Sequence, residues 1–144
     1  MAQELENTLK TVFASHYAYY LKAQGCHWNV EGFLFPQLHS LFGTIYETVG
    51  DTQDAFAENL RKCGFFAPAT FSELGEWSKL EPLAAVSASD MLRELYLDSV
   101  TLAALCGVAY EASDSAGEYG LANFLADQQD MFKKIGWMLR SSLK

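Results

Sequence analysis

Four side chains of the types that bind divalent metal ions stand in the first half of the chain. They are His27, His39, Asp54 and Glu58, separated by 12, 15 and 4 residues. Imidazole and carboxylate ligands suit iron, manganese or zinc better than a set of thiolates would. The four residues therefore predict a site for a divalent metal.

The spacing of these residues predicts that the site needs two copies of the chain. Asp54 and Glu58 lie one turn apart on one helix face, so both can reach the same ion. His39 lies about 22 Å from Asp54 along a continuous helix, whereas a metal–ligand bond is about 2 Å long. Unless the helix breaks, a second copy related by a two-fold axis must complete the site. Each site then combines His27 and His39 of one subunit with Asp54 and Glu58 of the other.

Composition places limits on the function. A chain of 144 residues predicts a single domain, 1–144, and 50% hydrophobic residues with 14% aromatics suggest surface covered by an assembly. The formal net charge of −8 argues against a nucleic-acid binder that works by neutralising phosphates. An acidic chain instead suits a protein that attracts cations.

Cysteine usage and the N-terminus predict the compartment. Cys26, Cys63 and Cys106 are odd in number and widely spaced, which is typical of reduced thiols rather than disulfides or a zinc knuckle. We find neither a secretory signal pattern nor an apolar stretch of about 18 residues that would span a membrane. These features predict a cytoplasmic protein with no membrane partner.

The hydrophobic pattern predicts an all-α fold. Apolar residues recur at steps of three and four in four long segments, and a short amphipathic segment lies among prolines and glycines between the second and third. A long crossover between the second and third helices is typical of a ferritin-like four-helix bundle. The predicted helices cover residues 3–28, 36–63, 70–78 (the short one), about 87–113, and a last segment that follows a cap at Ser115 and includes Leu121 and Leu139.

Several residues predict local structure. Ser87 or Ser89 can cap the third helix, and Ser115 with Glu118 forms a capping-box pattern for the fourth. Gly43 and Gly50 lie on the helix stripe that carries His39 and Asp54, where each costs about 1 kcal/mol relative to alanine. We expect the close approach of another backbone there. His16, too far from His27 to share its metal, is expected to be a core or interface histidine.

The residues around the four predicted ligands resemble the signature of one family, the Dps-type mini-ferritins. The matching positions are His27-Trp28-Asn29-Val30, Gly32, Phe35, Leu38-His39, Asp54 and Ala57-Glu58, with the same spacing between the ligands. No Glu-x-x-His pair occurs in the chain, so the other ferritin-like plan, with both metals inside one bundle, is not followed.

The resemblance implies a function. Proteins of this family form hollow dodecamers with ferroxidase centres between subunits, where two Fe(II) are oxidised by hydrogen peroxide, or more slowly by dioxygen, and stored as Fe(III). By this resemblance His27, His39, Asp54 and Glu58 are the iron ligands and Trp28 is a nearby electron source. Glu118 and Asp127 match the positions of acidic residues that line entry pores.

Three residues depart from the family pattern. An acidic residue often follows the second histidine by one turn, where this chain has Gly43, so the second metal position is expected to be weaker or water-ligated. A basic residue often follows the glutamate, where this chain has Asn59, which removes an ion pair. Cys26 adjoins a histidine that handles peroxide, and its oxidation is left open.

Two functions therefore remain in view. The first is an iron-oxidising storage enzyme. The second is a shell with a structural or binding role, whose metal site is weak or filled by zinc, and Gly43 is its main support. In neither case do we expect DNA binding, because the N-terminus, Met1-Ala2-Gln3-Glu4, lacks the lysine-rich tail on which such binding usually depends.

Overall fold

The chain folds as an α-helical bundle. The computed structural model describes residues 2–144, and this range contains no β-strand. α2 and α3 follow each other across two residues and form one rod, so the long rods are α1, α2 with α3, α5 and α6. This arrangement confirms the predicted all-α four-helix bundle with a short helix, α4, in the crossover between the second and third rods. The helices are Ala2–Asn29 (α1), Phe35–Gly50 (α2), Gln53–Lys62 (α3), Phe71–Trp77 (α4), Ala88–Ser115 (α5) and Tyr119–Ser142 (α6).

One hydrophobic core lies between the rods. α1 packs against α2, α3, α4 and α5, and α5 packs along α6. All four rods supply large side chains that are fully buried, which is the arrangement expected when each helix buries one apolar stripe. The largest are Tyr19, Phe42, Phe56, Phe132, Leu9, Ile45, Leu60, Met91, Leu95, Leu102, Leu125 and Ile135.

The second rod is interrupted, which corrects the continuous helix predicted over residues 36–63. The N–H of Asp51 still bonds to the Glu47 carbonyl four residues back, at 2.9 Å. The N–H of Thr52 bonds instead to the Val49 carbonyl, three residues back, at 3.1 Å. Both residues keep right-handed helical backbone angles. Asp51 has φ −63° and ψ −18°, and Thr52 has φ −101° and ψ −4°. The rod is therefore modified locally and does not fold back on itself.

The two glycines of this rod approach α1 of the same chain, which corrects the expectation that they admit another backbone. A Cβ atom on Gly43 would lie 3.0 Å from the His27 ring, and one on Gly50 would lie 2.7 Å from the Tyr20 ring. Both rings project from α1. Glycine is needed at these two positions because aromatic side chains fill the space that a larger residue would take.

The helix ends agree only in part with the sequence. Thr70 caps α4 and Ser87 caps α5, each accepting the backbone N–H of the third following residue at 3.1 Å. The capping box predicted for the last helix is wrong. α5 continues through Ser115, and Glu118 precedes α6 without a side-chain capping bond. Gly117, at φ +78°, makes the turn instead.

A buried ion pair ties the crossover to the bundle. Lys22 on α1 places its Nζ 2.9 Å from Glu94 and 2.6 Å from Asp98 on α5. Glu94 also accepts the backbone N–H groups of Ala84 and Ala85, at 3.3 and 3.0 Å. The end of the crossover is thereby held against α5.

By length and composition alone, α5 could cross a membrane, with a mean hydropathy of 1.2 over an 18-residue window. No such stretch was predicted from the sequence. A core helix of a bundle passes the same test, and α5 packs against both α1 and α6.

Candidate metal centre

The structure brings His27 and His39 together, although twelve residues separate them. His27 lies in the last turn of α1 and His39 lies near the start of α2. Their rings are stacked, with centroids 3.8 Å apart and planes 15° from parallel. The first two of the four predicted ligands therefore form a pair within one chain.

Each of these histidines is oriented by the backbone of the other. The Nδ1 of His27 lies 2.6 Å from the His39 carbonyl oxygen, and the Nδ1 of His39 lies 2.7 Å from the His27 carbonyl oxygen. A carbonyl oxygen only accepts, so both Nδ1 atoms carry a proton and donate it. In the neutral form of such a ring the lone pair is on Nε2, which is the state a metal ligand requires.

The turn between α1 and α2 makes this pairing possible. Gly32, at φ +122°, takes a conformation that other residues rarely adopt, and its carbonyl accepts the N–H of Phe35 at 3.0 Å. Phe35 then stacks on His39 with ring centroids 5.0 Å apart. On the other side, the missing side chain of Gly43 leaves room for the His27 ring. The histidine pair is thus held between an aromatic ring and a glycine.

The two carboxylates do not join the histidines within one chain. Asp54 and Glu58 are both exposed on α3, beyond the interruption in the rod. Across residues 2–144, no group of three or more histidine, cysteine, aspartate or glutamate side chains is close enough to hold a metal ion. The four predicted ligands therefore form two separate halves, a histidine pair and a carboxylate pair, and their union between subunits stays a prediction.

Large apolar side chains are exposed around the histidine pair. Trp28, next to His27, is 61% exposed, and Phe33 in the following turn is 98% exposed. Leu34 and Phe35 are also exposed. Contiguous apolar surface of this kind marks interaction sites on soluble proteins. We call these four residues, Trp28 and Phe33–Phe35, the apolar rim.

The two predicted pore residues lie on α6 and just before it. Glu118 and Asp127 are both exposed. Glu118 borders a hollow of about 680 Å³ together with Glu4, Glu111 and Cys63, and Asp127 does not. Burial, and then the charge of Glu118, raise the pKa of the Cys63 thiol. The structure does not bring the two acidic residues together within one chain.

Cys26 is fully buried beside the histidine pair, and none of the three cysteines forms a disulfide. Burial is the main cause that raises the pKa of Cys26 to about 12. The thiol is therefore protonated at neutral pH, and a protonated, inaccessible thiol is a poor nucleophile.

His16 is a core histidine, which was one of the two predicted alternatives. It is fully buried, and its Nε2 lies 2.9 Å from the Thr52 hydroxyl at the junction of α2 and α3. Neither Thr52 nor its neighbour Gln128 was predicted from the sequence. The available signal was that Thr52 is a polar, β-branched residue in the middle of a predicted helix. It also lies two positions before a predicted ligand.

Comparisons with known proteins agree with this fold and these residues. The chain matches the ferritin family, described as a ferritin-like domain, over residues 6–144. It is 31% identical over 126 residues to the DNA protection during starvation protein of Brevibacillus brevis. The matched region covers 87% of this chain and 85% of that protein.

Solved structures show the same likeness. The fold is similar to the crystal structure of a Dps protein from Bacillus brevis, with a TM-score of 0.94 and 27% identity over 99% of this chain and 97% of that one. It is also similar to Dps from Vibrio cholerae O1, with a TM-score of 0.92 and 24% identity over 99% and 91%. The latter is described as a member of a broad superfamily of ferritin-like diiron-carboxylate proteins. This chain therefore belongs to the ferritin-like family and, within it, to the Dps-type mini-ferritins, whose general function is iron storage.

Proposed function

We propose that this protein oxidises Fe(II) at sites shared between two-fold-related subunits and stores the Fe(III) inside a homo-oligomeric shell, a dodecamer. The observation that carries the proposal is the histidine pair, in which both Nδ1 atoms are committed to carbonyl oxygens and both Nε2 atoms are left as ligands. The carboxylates that a metal would also need are on the same chain but apart from the pair. A neighbouring copy supplies them, with the apolar rim buried at the contact.

The residues divide the chemistry between them. His27 and His39 bind iron through neutral nitrogens, Asp54 is a terminal carboxylate, and Glu58 can bridge two ions. Two Fe(II) each give one electron to hydrogen peroxide, whose O–O bond breaks, and two protons complete two water molecules. Taking both electrons in one event avoids free hydroxyl radical. Trp28, at the rim of the site, would supply an electron to stray oxidising equivalents.

Gly43 supports a second candidate, a shell whose site is weak or filled by zinc. The residue one turn after His39 carries no carboxylate, and the His27 ring occupies the space beside it. One of two metal positions then has fewer protein ligands. In this candidate the shell assembles and binds zinc, and peroxide consumption stays slow after Fe(II) is added without oxygen.

Complementation between two inactive variants tests both parts of the proposal. His39→Ala removes a ligand from the histidine half, and Asp54→Ala removes one from the carboxylate half. A shell made of either variant alone contains no complete site. In a two-fold dimer of the two variants, one site loses both ligands and the other is intact. Random pairing in a co-assembled shell therefore restores about a quarter of the wild-type sites.

The measurement is peroxide consumption after anaerobic addition of Fe(II), for each variant and for the co-assembled mixture. We expect about one peroxide consumed per two irons in the wild type, little in either variant, and about a quarter of the wild-type rate in the mixture. A mixture as inactive as its parents would refute a shared site. Wild-type protein no faster than either variant would refute the ferroxidase function and favour the second candidate.

The remaining expectations concern assembly and partners. Native mass measurement should give a dodecamer, and a monomer would leave every site incomplete. The acidic chain is expected to act in the cytoplasm without DNA, and DNA should not shift on a gel at about 0.15 M salt, where weak electrostatic binding is largely lost. Exposed Glu118 and Asp127 are proposed to attract iron at the pores, so neutralising both should slow iron entry.

A further inference from the structure

The junction between α2 and α3 lies directly before the carboxylate half of the proposed site. Thr52 precedes Asp54 by two residues and Glu58 by six. Because the Thr52 N–H bonds three residues back rather than four, the direction of α3 is not set by a regular helical ladder. Something else must hold the two segments in line.

Three polar side chains from three rods meet at this junction. His16 comes from α1, Thr52 from the junction and Gln128 from α6. The Thr52 hydroxyl lies 2.8 Å from the Val49 carbonyl, 2.9 Å from His16 Nε2 and 3.4 Å from the Gln128 carboxamide oxygen. We call His16, Thr52 and Gln128 the polar clamp.

The protons of the polar clamp can be assigned. A hydroxyl has a single proton, and the closest acceptor of the Thr52 hydroxyl is the Val49 carbonyl. The hydroxyl oxygen is then free to accept, so His16 donates its Nε2–H to it. His16 Nδ1 is the unprotonated nitrogen, and it has no hydrogen-bond partner. The Thr52 hydroxyl therefore donates to the Val49 carbonyl and accepts from His16, and the Gln128 carboxamide oxygen is a longer contact at 3.4 Å.

The surroundings of the polar clamp are apolar. The His16 ring packs edge-on against Phe56 and Phe132, with centroids 5.3 and 5.9 Å away. Polar groups in such a place cost free energy unless they are bonded, and apolar side chains of similar size commonly stabilise a core equally well. Buried polar groups that persist in this setting can instead specify one geometry.

We propose that the polar clamp is a positioning device for the metal site, which sets the direction of α3 and so the places of Asp54 and Glu58 opposite the neighbouring subunit's histidines. This inference rests on the proposed shared site. Glu58 lies about 9 Å along α3 from Thr52, so a tilt of about 10° moves it by about 1.6 Å and moves Asp54 by only about 0.5 Å. Metal–ligand distances tolerate about 0.2 Å. A small tilt is therefore enough to weaken the site.

Thr52→Val tests the inference, because valine keeps the shape of threonine and removes its hydroxyl. Thr52→Ser keeps the hydroxyl and is the conservative rescue. Ser87→Ala is the matched control, since it removes the cap of α5 and lowers stability away from the clamp. The probes are Zn(II) binding by calorimetry and the Fe(II) dependence of peroxide consumption, each measured on the assembled shell.

We expect Thr52→Val to weaken Zn(II) binding by about 10-fold to 100-fold, the range seen when residues that orient metal ligands are removed. Thr52→Ser and Ser87→Ala should stay within about twofold of the wild type. The apparent KM for Fe(II) should rise more than kcat falls. If Thr52→Val does not assemble, Gln128→Leu removes a longer contact of the clamp and should weaken binding in the same direction.

Three results would overturn the inference. Thr52→Val that assembles and binds Zn(II) like the wild type shows that the hydroxyl does not position the ligands. An equal loss in Thr52→Val and Ser87→Ala shows that general stability alone is responsible. Wild-type protein that binds neither Zn(II) nor Fe(II) at the interface refutes the proposed shared site itself, and the role of the clamp with it.

Discussion

His16 gives a sharp prediction about stability and pH. Burial lowers the pKa of His16 from its ordinary value of 6.5 to about 3, and the nearby Gln128 side chain opposes the shift only in part. The unfolded chain binds a proton on this residue below about pH 6.5, whereas the folded chain does not until about pH 3. The full contribution of neutral His16 is therefore present above pH 6.5, and it is lost as the pH falls through this window.

The size of the effect follows from the two pKa values. Between about pH 7 and pH 5, the free energy of unfolding should fall by about 2 kcal/mol because of His16 alone. By about pH 3 the accumulated loss is about 4 kcal/mol, and it approaches about 5 kcal/mol at lower pH, since each pKa unit corresponds to about 1.4 kcal/mol. The larger figure is of the order of the total stability margin of a small domain.

His16→Gln isolates this contribution. Glutamine can place an N–H near the position of Nε2, so it keeps the bond to the Thr52 hydroxyl, and it does not titrate. We would measure urea unfolding by circular dichroism for both proteins at about pH 7 and pH 5, at one fixed protein concentration because assembly adds to stability. The wild type should lose about 2 kcal/mol more than His16→Gln over this interval.

The comparison can refute the assignment of a neutral, buried His16. If the wild type and His16→Gln lose stability in parallel, other groups produce the whole pH dependence. A wild type that becomes more stable relative to His16→Gln on acidification would show that the folded protein holds the charged ring. That outcome would also remove the proton assignment of the polar clamp.

Two further predictions address the histidine pair and the crossover. Gly43→Ala should weaken Zn(II) binding by at least about tenfold, because its Cβ displaces the His27 ring, whereas Gly120→Ala, with nothing within 4 Å, should not; equal affinities in calorimetry would contradict this. Lys22→Met should lower the free energy of unfolding by about 2 kcal/mol, somewhat less than for a fully buried pair because Glu94 and its neighbouring carboxylate keep some contact with water. Urea unfolding measures this loss, which should shrink as the pH falls and the carboxylates become protonated.

The sequence alone was sufficient to predict the bundle, and it also supplied the candidate ligands. Helical periodicity is local, so an apolar residue every three or four positions predicted four rods and a short crossover helix without reference to contacts. The spacing of His39 and Asp54 was equally local, since the rise of a helix is constant. Local rules failed at Ser115, where the capping pattern was present but α5 continued through it, because tertiary packing can prolong a helix beyond a favourable stop.

Other features of the site depended on the tertiary structure. No pattern along the chain shows that each of His27 and His39 donates to the carbonyl of the other, because that exchange exists only after the Gly32 turn brings two helix ends together. The need for glycine at position 43 could likewise not be predicted, since its neighbour is a ring from α1 and not a residue close in sequence. The chain thus determined by itself which long rods form and which candidate ligands they carry, whereas the orientation of those side chains arises from contacts between segments that meet only in the folded state.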